Sequence, residues 1–126
     1  FIFSAAIPPA NAAAALESLN MLDSEPQRVE ALWDNMRYMC NGLKQLNIPL
    51  GNEQTPIIPV MTWEKERTFV MTKMLLNEGV YVNPAIPPAV KPGQCLLRTS
   101  YTATHTKEQL DRALEAFDKV FNKMNI

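Results

Sequence analysis

Residues 77–106 read Asn-Glu-Gly-Val-Tyr-Val-Asn-Pro-Ala-Ile-Pro-Pro-Ala-Val-Lys-Pro-Gly-Gln-Cys-Leu-Leu-Arg-Thr-Ser-Tyr-Thr-Ala-Thr-His-Thr. Two β-type runs, residues 80–82 and 96–102, flank a loop that carries Pro84, Pro87, Pro88 and Pro92. The prolines preset φ and reduce the entropy lost when such a loop is ordered, which suits a segment beside a ligand. The second run places one arginine, Arg98, between Leu97 and the hydroxyls of Thr99 and Ser100, so its neighbours alternate between faces. A guanidinium is a planar fork able to hold a carboxylate through two parallel hydrogen bonds. The competing reading is a strand-edge residue or a structural ion pair.

Upstream of this stretch, residues 1–4 (Phe-Ile-Phe-Ser) have strand composition and Pro8 and Pro9 end the run. Alanine-rich residues 10–22 then predict a helix. Ser24 and Gln27 have the spacing of a capping box, with Glu25 and Pro26 between them. The helix they would open carries Val29, Leu32, Trp33, Met36, Met39, Cys40, Leu43 and Leu46 on one face. Residues 57–61 read as a strand that Pro59 confines to an edge, a start or a bulge. Thr62 is the expected cap of a third helix, with Val70, Met71, Met74 and Leu75 as its apolar side and Gly79 as its left-handed stop. Downstream, Thr106 to Gln109 is a second capping box, opening a helix with Leu110, Ala113, Leu114, Phe117, Val120, Phe121 and Met124 inside.

This order predicts an α+β chain of two layers, a small, mainly antiparallel sheet with helices packed on one face. Residues 1–24 fit that unit poorly and are assigned to the end of a larger domain and a connecting helix; residues 25–126 form the small domain. The absence of an initiating Met or a basic flank at Phe1 suggests a piece of a longer polypeptide.

The chain has 126 residues, 12 basic and 13 acidic, with formal charge −1. Interspersed charge of both signs argues against nucleic acid as a partner. No apolar run approaches the ~20 residues of a transmembrane helix. Cys40 and Cys95 lack zinc-site spacing and read as buried thiols of a reducing, cytoplasmic compartment. His105, the only histidine, stands next to the Thr106 cap and reads as a local hydrogen-bonding residue. Ser4 is either a phosphate-contacting hydroxyl or a turn residue. Met36, Met39, Met71 and Met74 read as core filling. No glycine-rich phosphate loop, nucleophile elbow or metal motif is present, and no complete catalytic set.

Several pieces, in order, resemble the pyridoxal-phosphate-dependent α-oxoamine synthases: Phe1-Ile2-Phe3-Ser4-Ala5-Ala6-Ile7-Pro8-Pro9-Ala10, Thr55-Pro56-Ile57-Ile58-Pro59-Val60, Glu78-Gly79-Val80-Tyr81-Val82-Asn83-Pro84, Ile86-Pro87-Pro88-Ala89-Val90, and Leu97-Arg98 with Ala103-Thr104-His105-Thr106. The resemblance implies the C-terminal portion of a fold-type I enzyme that works as a homodimer and joins an amino acid to an acyl-CoA with loss of carbon dioxide. It implies that Arg98 binds the substrate carboxylate, and that Ser4, in the Ser4-Ala5 motif, reaches the phosphate of a cofactor held by the neighbouring subunit. The cofactor lysine, the aspartate on the pyridine nitrogen and the stacking histidine precede Phe1 in the family's order, so this polypeptide alone is expected to be inactive. The motifs are most similar to the bacterial serine palmitoyltransferase branch, with glycine C-acetyltransferase and 8-amino-7-oxononanoate synthase as the family alternatives. A non-catalytic α+β ligand-binding or interaction module is the alternative from outside the family.

Overall fold

The computed structural model describes residues 6–52 and 54–125, so the expected strand at residues 1–4 lies outside the described residues. The elements in order are α1 (Pro9–Ser24), α2 (Gln27–Gln45), β1 (Ile57–Trp63), α3 (Lys65–Asn77), β2 (Asn83–Ala85), β3 (Cys95–Ser100) and α4 (Lys107–Met124). The three strands form one antiparallel sheet in the order β1-β3-β2, and the α+β class is observed.

β3, the central strand, buries Cys95, Leu97 and Thr99 while Arg98 and Ser100 are exposed. Period-two alternation therefore puts Arg98 on the open face. On the covered side α3 touches all three strands and α2 touches β1. α4 lies across α2 and α3. Met39, Leu43, Ile58, Val60, Met71, Leu75, Leu97 and Phe117 form the buried centre of this sandwich, each contributing about 1.5–3 kcal/mol by leaving water. Gly42 permits the closest helix approach, because a Cβ there would lie 2.5 Å from Leu114 Cδ1. Tyr38 hydroxyl donates to the Asp111 carboxylate, and Lys107 Nζ stands 5.3 Å from the centre of the same ring, tying α2 to α4.

The backbone orientation of β1 follows from its outer neighbour. Gly51 N donates to Pro59 O at 2.8 Å and Met61 N to Pro49 O at 2.8 Å, so both residues turn their backbone groups away from β3. Pro59, which has no donor, therefore faces outward, in agreement with its expected edge position. Ile58 and Val60 face β3, and by alternation the backbone of Arg98 faces β2, opposite Asn83.

Three expectations are corrected. Residues 80–82 are not a strand: Val80 N donates to Leu75 O at 2.8 Å and Gly79 N to Leu76 O at 3.0 Å, with Gly79 at φ 84°. This is a Schellman ending of α3, which consumes Val80 before pairing can begin. The Ser24 capping box does not form, because Ser24 Oγ donates back to Asn20 O at 2.9 Å and α1 runs on through it. Pro26 precedes α2 without any side-chain cap. Thr62 does not cap α3 either: β1 continues to Trp63, and the buried Thr62 hydroxyl lies 2.7 Å from that of Thr68. Glu64 takes the cap position. The Thr106 capping box is complete, with Thr106 N donating to Gln109 Oε1 at 2.9 Å and Gln109 N to Thr106 Oγ1 at 3.3 Å.

α1 departs from the packing of the other helices. None of its residues is buried, and Leu16, Leu19 and Leu22 remain exposed.

Candidate functional site

Arg98 occupies the middle of the central strand, paired across β1 with Pro59 and across β2 with Asn83. Its side chain is exposed and makes no hydrogen bond or ion pair among the described residues. The structural ion pair that competes with a ligand role is thus absent among the described residues. Pairing keeps directly opposed residues on one face, so Ile57, Met61, Ala85 and Leu96 share the open surface with Arg98, Asn83 and Ser100. A guanidinium carried by a paired strand and framed by apolar neighbours can take an acid group through two parallel hydrogen bonds.

The other expected positions are distributed differently. Ser4 and Ala5 lie outside the described residues. His105 is half-buried beside the α4 cap, where its Nδ1 accepts from Thr102 N at 3.2 Å. The Nδ1 contact leaves the neutral ring its proton on Nε2. Tyr101 packs edge-on to it, with ring centres 6.4 Å apart. Burial pushes the Tyr101 phenol up to about 12. Cys40 and Cys95 are buried and form no disulfide. Among the described residues, no group of three His, Cys, Asp or Glu side chains could hold a metal ion. No helix among them is long and apolar enough to cross a membrane.

Two concavities flank this region. A cavity of about 440 Å³ on the covered side is lined by Val80, Val82, Tyr101, His105, Leu110 and Phe117 among others, and not by Arg98. A more open groove of about 690 Å³ follows the proline loop from Pro87 to Gln94, where the Pro87-Pro88 peptide is cis. Arg98 therefore lies on the open sheet face, outside both concavities. Sequence reasoning assigned Asn83 to the loop and missed that it pairs with Arg98; the signal was Pro84, whose missing donor marks an edge strand there.

Residues 1–117 match the family of class I and II aminotransferases. A serine palmitoyltransferase of Bacteroides ovatus is 42% identical over 126 residues, covering 100% of this chain and 32% of that protein. An 8-amino-7-oxononanoate synthase of Alkaliphilus oremlandii is 43% identical over 125 residues, covering 99% of this chain and 32% of that protein. Among solved structures, a serine palmitoyltransferase from S. paucimobilis with bound PLP-myriocin aldimine superposes with a TM-score of 0.91 at 36% identity, covering 98% of this chain and 31% of that one. The chain thus spans about a third of the length of these relatives. With its small antiparallel sheet and helices matching the C-terminal domain of the serine palmitoyltransferase structures, the chain belongs to the aminotransferase class I and II family.

Proposed function

We propose that this chain is the C-terminal part of a PLP-dependent α-oxoamine synthase that condenses serine or glycine with an acyl-CoA with decarboxylation, most similar to a serine palmitoyltransferase serving sphingolipid base synthesis. Arg98 is its carboxylate anchor. The observation that carries this reading is the position of Arg98: mid-strand, on the uncovered face, and without a partner among the described residues. Residues 1–24 belong to the end of the large domain and the connecting helix, and residues 25–126 are the small domain. The exposed leucines of α1 support that division. The parent enzyme works as a cytoplasmic homodimer, with the Ser4 hydroxyl directed at the cofactor phosphate of the neighbouring subunit and residues 83–90 near the acyl-CoA entrance.

Every lysine among the described residues is exposed and none lines the 440 Å³ cavity, so we assign the PLP ring no site among them. The lysine, aspartate and histidine that hold the ring are assigned to the sequence preceding Phe1. When bound there, the cofactor supplies an electron sink for the carbanion. The contribution of this chain is orientation. A bidentate grip on the substrate carboxylate fixes the amino acid relative to the reacting centre before the acyl group arrives.

In the complete enzyme, Arg98→Ala raises the amino-acid KM and lowers kcat/KM about a hundred-fold, the order of a lost charge-assisted bidentate contact, while Arg98→Lys restores part. Steady-state kinetics with serine and glycine measure this. Unchanged kinetics remove Arg98 from the site.

A further inference from the structure

Directly across the sheet from Arg98 stands Asn83, and the pairing puts both residues on the open face. Both are exposed, and neither makes a side-chain hydrogen bond among the described residues. An asparagine before a proline is ordinarily a turn residue whose side chain bonds to nearby backbone. Asn83 makes no such local bond here, so that role leaves its amide unexplained.

On its other side Arg98 faces Pro59, which offers no hydrogen-bonding group. Asn83 is therefore the only hydrogen-bonding side chain paired directly with Arg98. Because the backbone of Arg98 is turned toward β2, the two residues form the hydrogen-bonded kind of antiparallel pair, with Cα atoms about 5.5 Å apart. That spacing holds two side chains side by side on one face, within reach of a single small anion. A carboxylate has about four lone-pair sites, and a guanidinium fork takes two of them. The Asn83 NH₂ can donate to a third, from the β2 side.

We infer that Asn83 is a second substrate-binding residue, donating its side-chain amide to the amino-acid carboxylate gripped by Arg98. This inference rests on the carboxylate role proposed for Arg98. It makes the clamp one-sided: polar contact comes from β3 and β2, while Pro59 closes the β1 side with apolar surface. It also assigns Asn83 to amino-acid binding and not to acyl-CoA binding, although it begins the segment that leads into the proline loop.

The test is steady-state kinetics of the complete enzyme, with L-serine and glycine varied in turn against a fixed acyl-CoA. Asn83→Ala is expected to raise the amino-acid KM about ten-fold, the low end for losing a hydrogen bond to a charged group, leaving the acyl-CoA KM and the melting temperature unchanged. Asn83→Asp places a carboxylate opposite the fork and is expected to cost as much as Arg98→Ala. Asn83→Gln, which keeps the amide, recovers part of the loss. If Arg98→Ala is impaired while Asn83→Ala and Asn83→Asp match the parent, the Asn83 inference fails and the Arg98 assignment stands. If Arg98→Ala is itself neutral, both fall. Equal losses in both substrates' KM together with a lowered melting temperature mean a structural role and also overturn it.

Discussion

At Tyr101 a single side chain links packing to pH. Its ring closes the covered side of the sheet, its hydroxyl lies 2.9 Å from Thr99 Oγ1, and Thr99 also donates to Ile58 O at 2.8 Å. Burial raises the phenol from 10.0 to about 12. The folded chain thus keeps a proton that the unfolded chain releases first, so stability falls as pH rises through this window. Below about pH 10 the contribution is complete; between about 10 and 12 it is lost, at most roughly 2–3 kcal/mol for a shift of this size. Urea titrations across that range should therefore show a downward slope that Tyr101→Phe flattens. Tyr38, whose hydroxyl bonds to Asp111, is also raised, so the difference between parent and variant isolates the Tyr101 part. The same scale shows what a sequence can and cannot disclose. The exposed mid-strand position of Arg98 was legible, because side chains on a strand alternate between faces. The pairing of Asn83 with Arg98 was not: the two stand fifteen positions apart in sequence, and pairing partners are not encoded by neighbours.

Among the elements, those governed by local chemistry were read correctly. The Thr106–Gln109 box closes as its spacing requires, and the apolar row of α2 buries Met36, Met39, Cys40 and Leu43. Failures came where two local signals competed for the same residues. Ser24 had cap-like spacing, but continuing α1 satisfied its hydroxyl first. Val80 and Val82 had strand composition, but Gly79 drew Val80 into the end of α3, leaving only Asn83–Ala85 to pair. Thr62 had the identity of a cap, but it fell on the inward phase of β1. α1 makes a separate point: its 16 residues form a helix with no buried side chain, and an isolated helix of that length is marginal in water. In the 126-residue chain alone, hydrogen exchange should show the amides of α1 as the least protected of the four helices and those of α2 and α4 as the most. Protection of α1 equal to that of α2 would contradict this account of its packing.

For the whole molecule, the covered and open sides of the sheet divide the labour. The helix side holds the core, and the other side presents the arginine, the asparagine and an apolar surround. The chain spans about a third of its relatives, and its described lysines are all exposed. Mixed with pyridoxal phosphate, the isolated chain should therefore give no stoichiometric, lysine-dependent absorbance band. Observation of one, abolished by replacing a single lysine, would place cofactor chemistry within these residues.

The outward-turned prolines have a consequence for association. The outer border of β1 is sealed by residues 49–51, and β2 offers only three residues there, with Pro84 at their centre. Among the described residues neither margin presents a ladder of free amides, which disfavours two copies zipping together into a continuous ribbon. Any self-association of this polypeptide is therefore expected to use side-chain surfaces, where shape and charge select the mate, and not main-chain stitching, which accepts almost any extended neighbour.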